Sequence, residues 1–279
     1  MKIYISLDME GIAGTYTWKQ EETNRAEVRK CIAQQIEWVI QGIKTSKVNK
    51  KIEEIVIADS HSTGDNLLYE ITALDDRLHL ISGYPRPKYM MPAFDNSYSV
   101  VFFVGYHGGI GTLHSVMDHS YSIRFHRIWI NDKPMNESLI NAAYAGNFNV
   151  PVGLVIGDNA LHKQLMDKDS LPWVKYVVTK YSLSRFAVKN RPFNVVKNET
   201  VSTVKEVLGF DLKKIPVYKF SSPIKLRIEL QSTSMADAVE MIPDIKRIDG
   251  VTVELTHNNY AEIFDAIDAI SGLADSVKW

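Results

Sequence analysis

The stretch Lys2-Ile-Tyr-Ile-Ser-Leu-Asp8-Met-Glu10-Gly-Ile-Ala-Gly14 places an apolar strand pattern directly before two carboxylates and a glycine-bounded turn. Alternate side chains along an extended strand share a face, so Asp8 and Glu10 point to one side at its C-terminal end. Ligands of open α/β sheets bind at that end. Two neighbouring acids repel each other unless a positive group lies between them, and a divalent metal is the first candidate. A strand end followed by a solvated acidic turn is the alternative.

The segments that follow indicate a parallel sheet. Helical character runs from Glu21 to about Lys47, a strand covers 52–58, and a polar loop covers 59–66. Strand, helix, strand and polar loop form a βαβ unit, which favours parallel strands with right-handed crossovers. Residues 99–104 and 150–156 are continuous apolar runs typical of buried parallel strands. The predicted fold class is therefore α/β, with a mostly parallel sheet and flanking helices.

The pattern changes after Arg191-Pro192. Residues 224–230 alternate strictly between apolar and polar, as in a strand with one wet face, and residues 260–273 form an amphipathic helical pattern. We therefore expect a metal-binding catalytic α/β domain over residues 1–190. A smaller α+β subdomain would cover residues 191–279.

Composition limits the classes of function. The chain has 279 residues, 45% of them hydrophobic, and its 32 Lys and Arg nearly balance its 33 Asp and Glu. No basic excess indicates nucleic acid or an anionic membrane as a partner. The most apolar run, 100–105, is too short to span a bilayer, and the first apolar run breaks at Asp8 without a cleavage-type tail. With Cys31 as the single cysteine, we expect a soluble cytoplasmic protein without an internal disulfide.

Acids and imidazoles recur at the ends of the predicted strands. Asp8 and Glu10, then His61, then His107 each follow a strand, and Glu137 begins the helix after the next one. If the strands are parallel, these side chains converge on one edge of the sheet. Nitrogen and oxygen ligands without thiolates suit Zn²⁺ or Mn²⁺. Five ligands are too many for one open catalytic zinc but fit two metals that share a bridging carboxylate.

Five motifs, in this order, resemble those of the DppA family of zinc-dependent D-aminopeptidases (peptidase family M55). The resemblance covers most of residues 1–190 and continues weakly through Ser182-Leu-Ser184-Arg185. The motifs are Ser6-Leu-Asp-Met-Glu-Gly-Ile12, Asp59-Ser-His-Ser62, Gly105-Tyr-His107, Val116-Met-Asp-His-Ser120 and Ile130-Asn-Asp-Lys-Pro-Met-Asn-Glu137.

The resemblance implies a ligand set for two zinc ions. Asp8 matches the bridging ligand of the family, Glu10 and His61 match the ligands of one metal, and His107 and Glu137 match those of the other. Family members assemble into large toroids with enclosed active sites, so a homo-oligomer is expected here as well.

The resemblance also implies that His119 is the catalytic histidine. His114, in a glycine-rich loop, is a possible rival, and the Met-x-His-Ser context favours His119. Asp59 is interpreted as a support for loop geometry or for a ligand rather than as a ligand.

The residues predict a binuclear metal site that activates water, and the resemblance implies that this water hydrolyses short peptides at their N-terminus, as a metal-dependent aminopeptidase does. A preference for N-terminal D-amino acids follows from the resemblance alone. One alternative is a binuclear hydrolase of another amide or ester bond, although no basic cluster beside the ligand set favours a phosphoester. The other is a non-catalytic dipeptide- or metal-binding protein linked to transport.

Overall fold

The computed structural model describes residues 1–277 and contains two sheets. Neighbouring strands of the first sheet are parallel, apart from the antiparallel pair at one edge. In spatial order its seven strands are β3 (Leu78–Ile81), β2 (Glu54–Asp59), β1 (Lys2–Leu7), β4 (Val100–Tyr106), β7 (Val152–Asp158), β8 (Lys175–Ser184) and β9 (Ala187–Asn190).

Strand β1 lies inside the first sheet, between β2 and β4, and is buried on both faces. Ile3 and Ile5 pack into a core formed with helices α2 (Arg25–Lys44) and α5 (Phe193–Gly209). Tyr4 points to the opposite core. Covering both faces with helices or a second layer is the usual requirement of a parallel sheet. The residue alternation in β1 therefore fixes which face each carboxylate of the following turn can reach.

The second sheet is antiparallel and smaller. In spatial order its strands are β11 (Lys246–Arg247), β12 (Thr252–His257), β10 (Ile224–Leu230), β5 (Phe125–Ile130) and β6 (Lys133–Pro134). Strand β10 alternates between buried and half-buried residues, as its sequence predicts. Two of the five strands precede residue 190, so both parts of the chain contribute to this sheet.

The helices connect the two sheets. Helix α3 (Glu137–Asn147) packs against β4, helix α7 (Tyr260–Ser276) packs against β10 and β12, and α3 and α7 pack against each other. The remaining helices are α1 (Lys19–Thr23), α4 (Asn159–Leu165) and α6 (Thr233–Val239), with short 3-10 turns at Asn49–Lys51, Tyr69–Leu74 and Leu212–Lys214. Within residues 1–277, no helix is both long and apolar enough to cross a membrane.

The α/β class with a mostly parallel sheet is confirmed. The single helix expected from residue 21 to about 47 is instead α1 and α2, which are separated at Asn24. Strand β8 is longer than its apolar run because it gains an antiparallel partner, β9, on its outer edge. The division into residues 1–190 and 191–279 stays a prediction.

Candidate metal centre

The turn after β1 is held against the end of β4. The Gly11 amide donates a hydrogen bond of 2.6 Å to the Gly105 carbonyl. A Cβ atom at Gly11 would lie 1.9 Å from the Tyr106 carbonyl oxygen, so no larger residue fits there. Gly14 has a φ of +94°, which glycine adopts without steric cost. The chain can therefore turn away sharply and leave the end of the sheet open.

A buried lysine holds the other side of this turn. Lys180 Nζ donates to the carbonyl oxygens of Ile12 (2.6 Å) and Thr15 (2.5 Å) and to the Thr15 hydroxyl (2.8 Å). Burial lowers the pKa of Lys180 to about 7. No motif singles out Lys180 in the sequence, because the residues that it contacts lie in a distant part of the chain. Its hydrogen bonds fix the loop that carries two of the expected ligands.

Three of the expected ligands meet on one side of the site. His61 Nδ1 lies 3.2 Å from Asp8 Oδ1 and 3.1 Å from Glu10 Oε2. Each of the three residues offers one ligand atom within 4.8 Å of the others. All three side chains are buried. This spacing suits a single cation at the centre of the three atoms.

A second group of ligands forms around the other oxygen of Asp8. His107 Nε2 lies 3.6 Å from Asp8 Oδ2 and 3.6 Å from Glu137 Oε2. Asp8, His107 and Glu137 likewise offer ligand atoms within 4.8 Å of one another. The two oxygens of Asp8 therefore face two different ligand groups, as a carboxylate that bridges two cations would.

The donor atoms of both groups fit a metal. Asp8 Oδ2, Glu10 Oε2 and His107 Nε2 are buried, and none of them has a hydrogen-bond partner among residues 1–277. A buried polar atom without a partner is costly, so such atoms cluster where a ligand or ion completes them. Imidazole nitrogens together with carboxylate oxygens are the donor set of zinc sites without cysteine.

The site has strongly shifted pKa values because acids and imidazoles share a small buried volume. Burial, and then Glu10 and Glu137, raise the pKa of Asp8 well above its usual value. Burial alone would raise the pKa of Glu10, but His61 holds it well below its usual range. Burial opposes protonation of His107, yet Glu137 raises the pKa of His107 to about 10. In the metal-free protein, bound protons therefore offset the negative charge of the carboxylates, as bound cations would.

Hydrogen bonds on the far side of each ring set which nitrogen faces the site. His61 Nε2 lies 3.2 Å from Glu21 Oε1, which leaves Nδ1 towards Asp8 and Glu10. His107 Nδ1 donates to the carbonyl of the next residue at 2.9 Å, which leaves Nε2 towards the second group. Metal-binding histidines commonly donate their other N–H in this way. Glu21 was not identified from the sequence.

His119 lies beside both groups. Its Nδ1 donates to the Met117 carbonyl at 2.9 Å, and its Nε2 lies 3.6 Å from Glu137 Oε1 and 3.9 Å from Glu10 Oε1. Its ring stacks on that of His107, with centroids 4.5 Å apart. Burial and the neighbouring His107 lower the pKa of His119. His119 is therefore neutral at physiological pH, with its Nε2 lone pair directed into the site.

His114 does not reach the site. It is exposed, and its Nδ1 contacts the Leu183 carbonyl at 2.9 Å. None of the candidate metal-binding groups found in residues 1–277 includes His114. Asp59 accepts hydrogen bonds from the amides of Asn66 and Leu67, at 2.7 and 2.8 Å, and so fixes the loop that carries His61.

Comparisons with known proteins place the chain in a family. Residues 1–269 match the family model of the D-aminopeptidases. The chain belongs to the D-aminopeptidase family. The D-aminopeptidase of Bacillus subtilis (strain 168) is 30% identical over 280 residues, which cover 98% of both chains.

The fold agrees with this membership. The solved structure of the Zn-dependent D-aminopeptidase DppA from Bacillus subtilis, described as a self-compartmentalizing protease, matches with a TM-score of 0.90 at 27% identity, over all of both chains. The family predicted from the sequence motifs is thus confirmed. The roles of the individual residues in this D-aminopeptidase family member stay predictions.

Proposed function

We propose that this protein is a zinc-dependent aminopeptidase that removes N-terminal D-amino acids from short peptides at a site for two zinc ions. The observation that carries the proposal is the placement of the two Asp8 oxygens, each shared with a different pair of ligands. The relatives named as D-aminopeptidases support the reaction, and the solved relative named as zinc-dependent supports the metal.

Each zinc ion would have three protein ligands, with Asp8 common to both. Glu10 and His61 complete the first set, and His107 and Glu137 complete the second. Zinc at such a site lowers the pKa of bound water to about 7 and polarises a carbonyl oxygen. Glu10 is kept available for this role because its Oε1 accepts a hydrogen bond of 2.7 Å from Trp18 Nε1, which leaves Oε2 free.

His119 would carry the proton through the reaction. Because Met117 fixes the Nδ1 proton, Nε2 of neutral His119 can accept a proton from the attacking water. The resulting imidazolium then donates that proton to the nitrogen of the departing amino acid or peptide. A neutral histidine with a lowered pKa is suited to accept the proton first and to release it readily.

Substrate turnover tests the proposed reaction. With the zinc-loaded protein, D-Ala-D-Ala is expected to yield free alanine at a higher kcat/KM than L-Ala-L-Ala. A chromogenic phosphoester is expected to remain intact, because within residues 1–277 no Lys or Arg lines the cavity at the metal centre, and the carboxylates of Glu21 and Asp275 there would repel a phosphate. Amino acid analysis measures the first two reactions, and absorbance measures the third.

Three outcomes of this assay would contradict the proposal. Cleavage of the phosphoester alone would indicate a different hydrolase. A faster reaction with the L,L-dipeptide would contradict the expected preference for D-amino acids. Saturable dipeptide binding without products would favour a binding protein.

Glu21 provides a prediction about the first zinc set. Replacing Glu21 with Gln removes the carboxylate that orients His61, so zinc affinity should fall by roughly 10- to 100-fold. Competition with a chromophoric chelator measures this affinity. Glu22→Gln, on the exposed side of the same helix, is the matched control and should bind zinc as the wild type does. Equal affinities in both variants would exclude an orienting role for Glu21.

We also propose that the chain assembles into a closed homo-oligomer in the cytoplasm. The solved relative is described as self-compartmentalizing, which supports an assembly. Leu113, Leu183 and Phe186 are exposed apolar side chains that suit a contact with another subunit. A single cysteine suits a reducing compartment.

A further inference from the structure

We propose that a second cavity, next to the metal centre, binds the C-terminal carboxylate of a short peptide through Arg185. This inference rests on the proposed function and names the class of substrate: di- and tripeptides with a free carboxylate. The cavity at the metal centre measures about 350 Å³, and the second cavity measures about 490 Å³. His119 and Ile123 line both, so the two cavities adjoin at the proposed catalytic histidine.

The two cavities have opposite polarity. Beyond the carboxylates assigned to zinc, Glu21 and Asp275 also line the metal-centre cavity, where Glu21 lies 3.2 Å from His61 Nε2 and Asp275 lies 3.2 Å from Arg124 Nε. The second cavity is lined by Arg127 and Arg185 and by one acid, Asp118. A short peptide at neutral pH has a cationic amino end and an anionic carboxyl end. This polarity orients such a peptide with its amine at the metal centre and its carboxylate in the second cavity, which places the bond between them beside His119.

Arg185 is held in place while part of its guanidinium stays available. Its Cζ lies 5.7 Å from the ring centroid of Trp18 and 5.6 Å from that of Phe186. Its Nε lies 3.4 Å from Asp118 Oδ1, and half of its side chain is exposed. Its Nη2 donates a hydrogen bond of 3.4 Å to the Asp118 carbonyl, whereas Nη1 donates none to any residue in 1–277. Arginine presents a planar fork of donors that matches a carboxylate, so the free edge suits this ligand.

Trp18 connects Arg185 to the reacting centre and limits the length of the substrate. The Trp18 ring meets the His119 ring edge to face at 5.4 Å, so the two distances together place the guanidinium at most about 11 Å from His119. An extended chain spans roughly 3.3–3.6 Å per residue. A hydrogen bond of about 3 Å at each end takes up part of this distance, so one or two residues beyond the scissile bond bring a terminal carboxylate to Arg185, whereas longer peptides would extend past it.

Equilibrium binding measures this contact apart from catalysis. D-Ala-D-Ala and its C-terminal amide would be titrated into zinc-loaded His119→Ala protein, in which turnover is suppressed. The free acid is expected to bind roughly 10- to 100-fold more tightly than the amide, as for a hydrogen bond to a charged group. Arg185→Gln should reduce this ratio to about one, and Arg185→Lys should restore part of it because the charge returns without the fork.

A matched control separates recognition of the carboxylate from a structural effect. Arg227 also packs on an aromatic ring, Trp129 at 4.6 Å, and pairs with Asp132 at 3.1 Å, but it does not line the second cavity. Arg227→Gln should leave the ratio of acid to amide affinity unchanged. A purely structural role of Arg185 would weaken both ligands equally and leave the ratio intact.

The subsite is overturned if acid and amide bind equally to the protein with Arg185 intact. It is also overturned if the ratio survives Arg185→Gln, or if Arg127→Gln abolishes it instead. Failure of the proposed function is a separate result. Hydrolysis of both ligands at equal rates by the wild type would support the aminopeptidase and contradict the carboxylate subsite. Preferential binding of the acid without any hydrolysis would support the subsite and contradict the aminopeptidase.

Discussion

Removing metal with a chelator is expected to abolish peptide hydrolysis, and two equivalents of zinc per chain are expected to restore it. The loss should exceed about 10⁴-fold, because His119 would then have to accept a proton from water that no cation has acidified, and no side chain among residues 1–277 would polarise the carbonyl as zinc does. Asp8 belongs to two ligand groups, one with Glu10 and His61 and one with His107 and Glu137. Two zinc ions per chain are therefore expected. Elemental analysis and activity, measured along one zinc titration, check both statements.

Zinc uptake should also be strongly dependent on pH. Glu137 raises the pKa of His107 to about 10, and Glu10 raises that of His61 despite burial, so both rings carry a proton at neutral pH in the metal-free protein. Zinc must displace these protons. Affinity should therefore rise between pH 6 and 9 and fall as the pH decreases, with a net release of protons when zinc binds at pH 7. Calorimetry in buffers of different ionisation enthalpy measures this release.

A single substitution tests the expected number of two zinc ions per chain. His107→Ala removes a ligand from the second set only, so this variant should retain one zinc ion. A wild-type protein that saturates at one zinc, or that hydrolyses peptides fully after exhaustive chelation, would contradict the binuclear site.

The first sheet was predictable because its strands are encoded locally. The alternating side chains of β1 lie directly before Asp8 and Glu10, and the apolar run of β4 lies directly before His107. Each strand pattern is thus within a few residues of the ligands that the strand positions. Parallel strands then bring their C-terminal ends together, whatever the intervening sequence. His61 follows the same rule at the end of β2.

The sequence does not reveal how the fold places Glu137 at the metal centre. The two strands before Glu137, β5 and β6, belong to the antiparallel second sheet, where β5 pairs with the distant strand β10. Glu137 instead occupies the first turn of α3, where Asn136 caps the helix and the helix dipole favours a negative charge. Local pattern predicted this helix start, but only tertiary packing determines where it points.

The residues that support the ligands were not predictable from local pattern. Glu21 lies on a five-residue helix whose acids look like an ordinary solvated face, and Lys180 lies in a strand far along the chain. Neither has a motif, since its partner is set by contacts between distant segments. A ligand set can therefore be recognised from spacing, whereas the hydrogen bonds that orient it require the structure.

His119→Ala is expected to lower kcat by roughly 10²- to 10⁴-fold, the usual contribution of a general acid–base residue, while both zinc ions remain bound. His119 Nε2 is the one imidazole nitrogen at the metal centre that the proposed ligand assignment leaves free, and Met117 holds the tautomer that directs its lone pair inward. Alanine removes this acceptor without removing a proposed ligand. Steady-state kinetics with D-Ala-D-Ala, together with elemental analysis of the same sample, measures both effects.

His114→Ala is the matched control for this loss. His114 lies in the same loop and is exposed, and its contact with the Leu183 carbonyl involves no residue of either ligand group. Its removal should leave kcat and zinc content close to those of the wild type. Activity that survives in His119→Ala but is lost in His114→Ala would transfer the catalytic role to His114. Loss of zinc from His119→Ala would instead make His119 a ligand, since Glu10, His107 and His119 also offer atoms within 4.8 Å of one another.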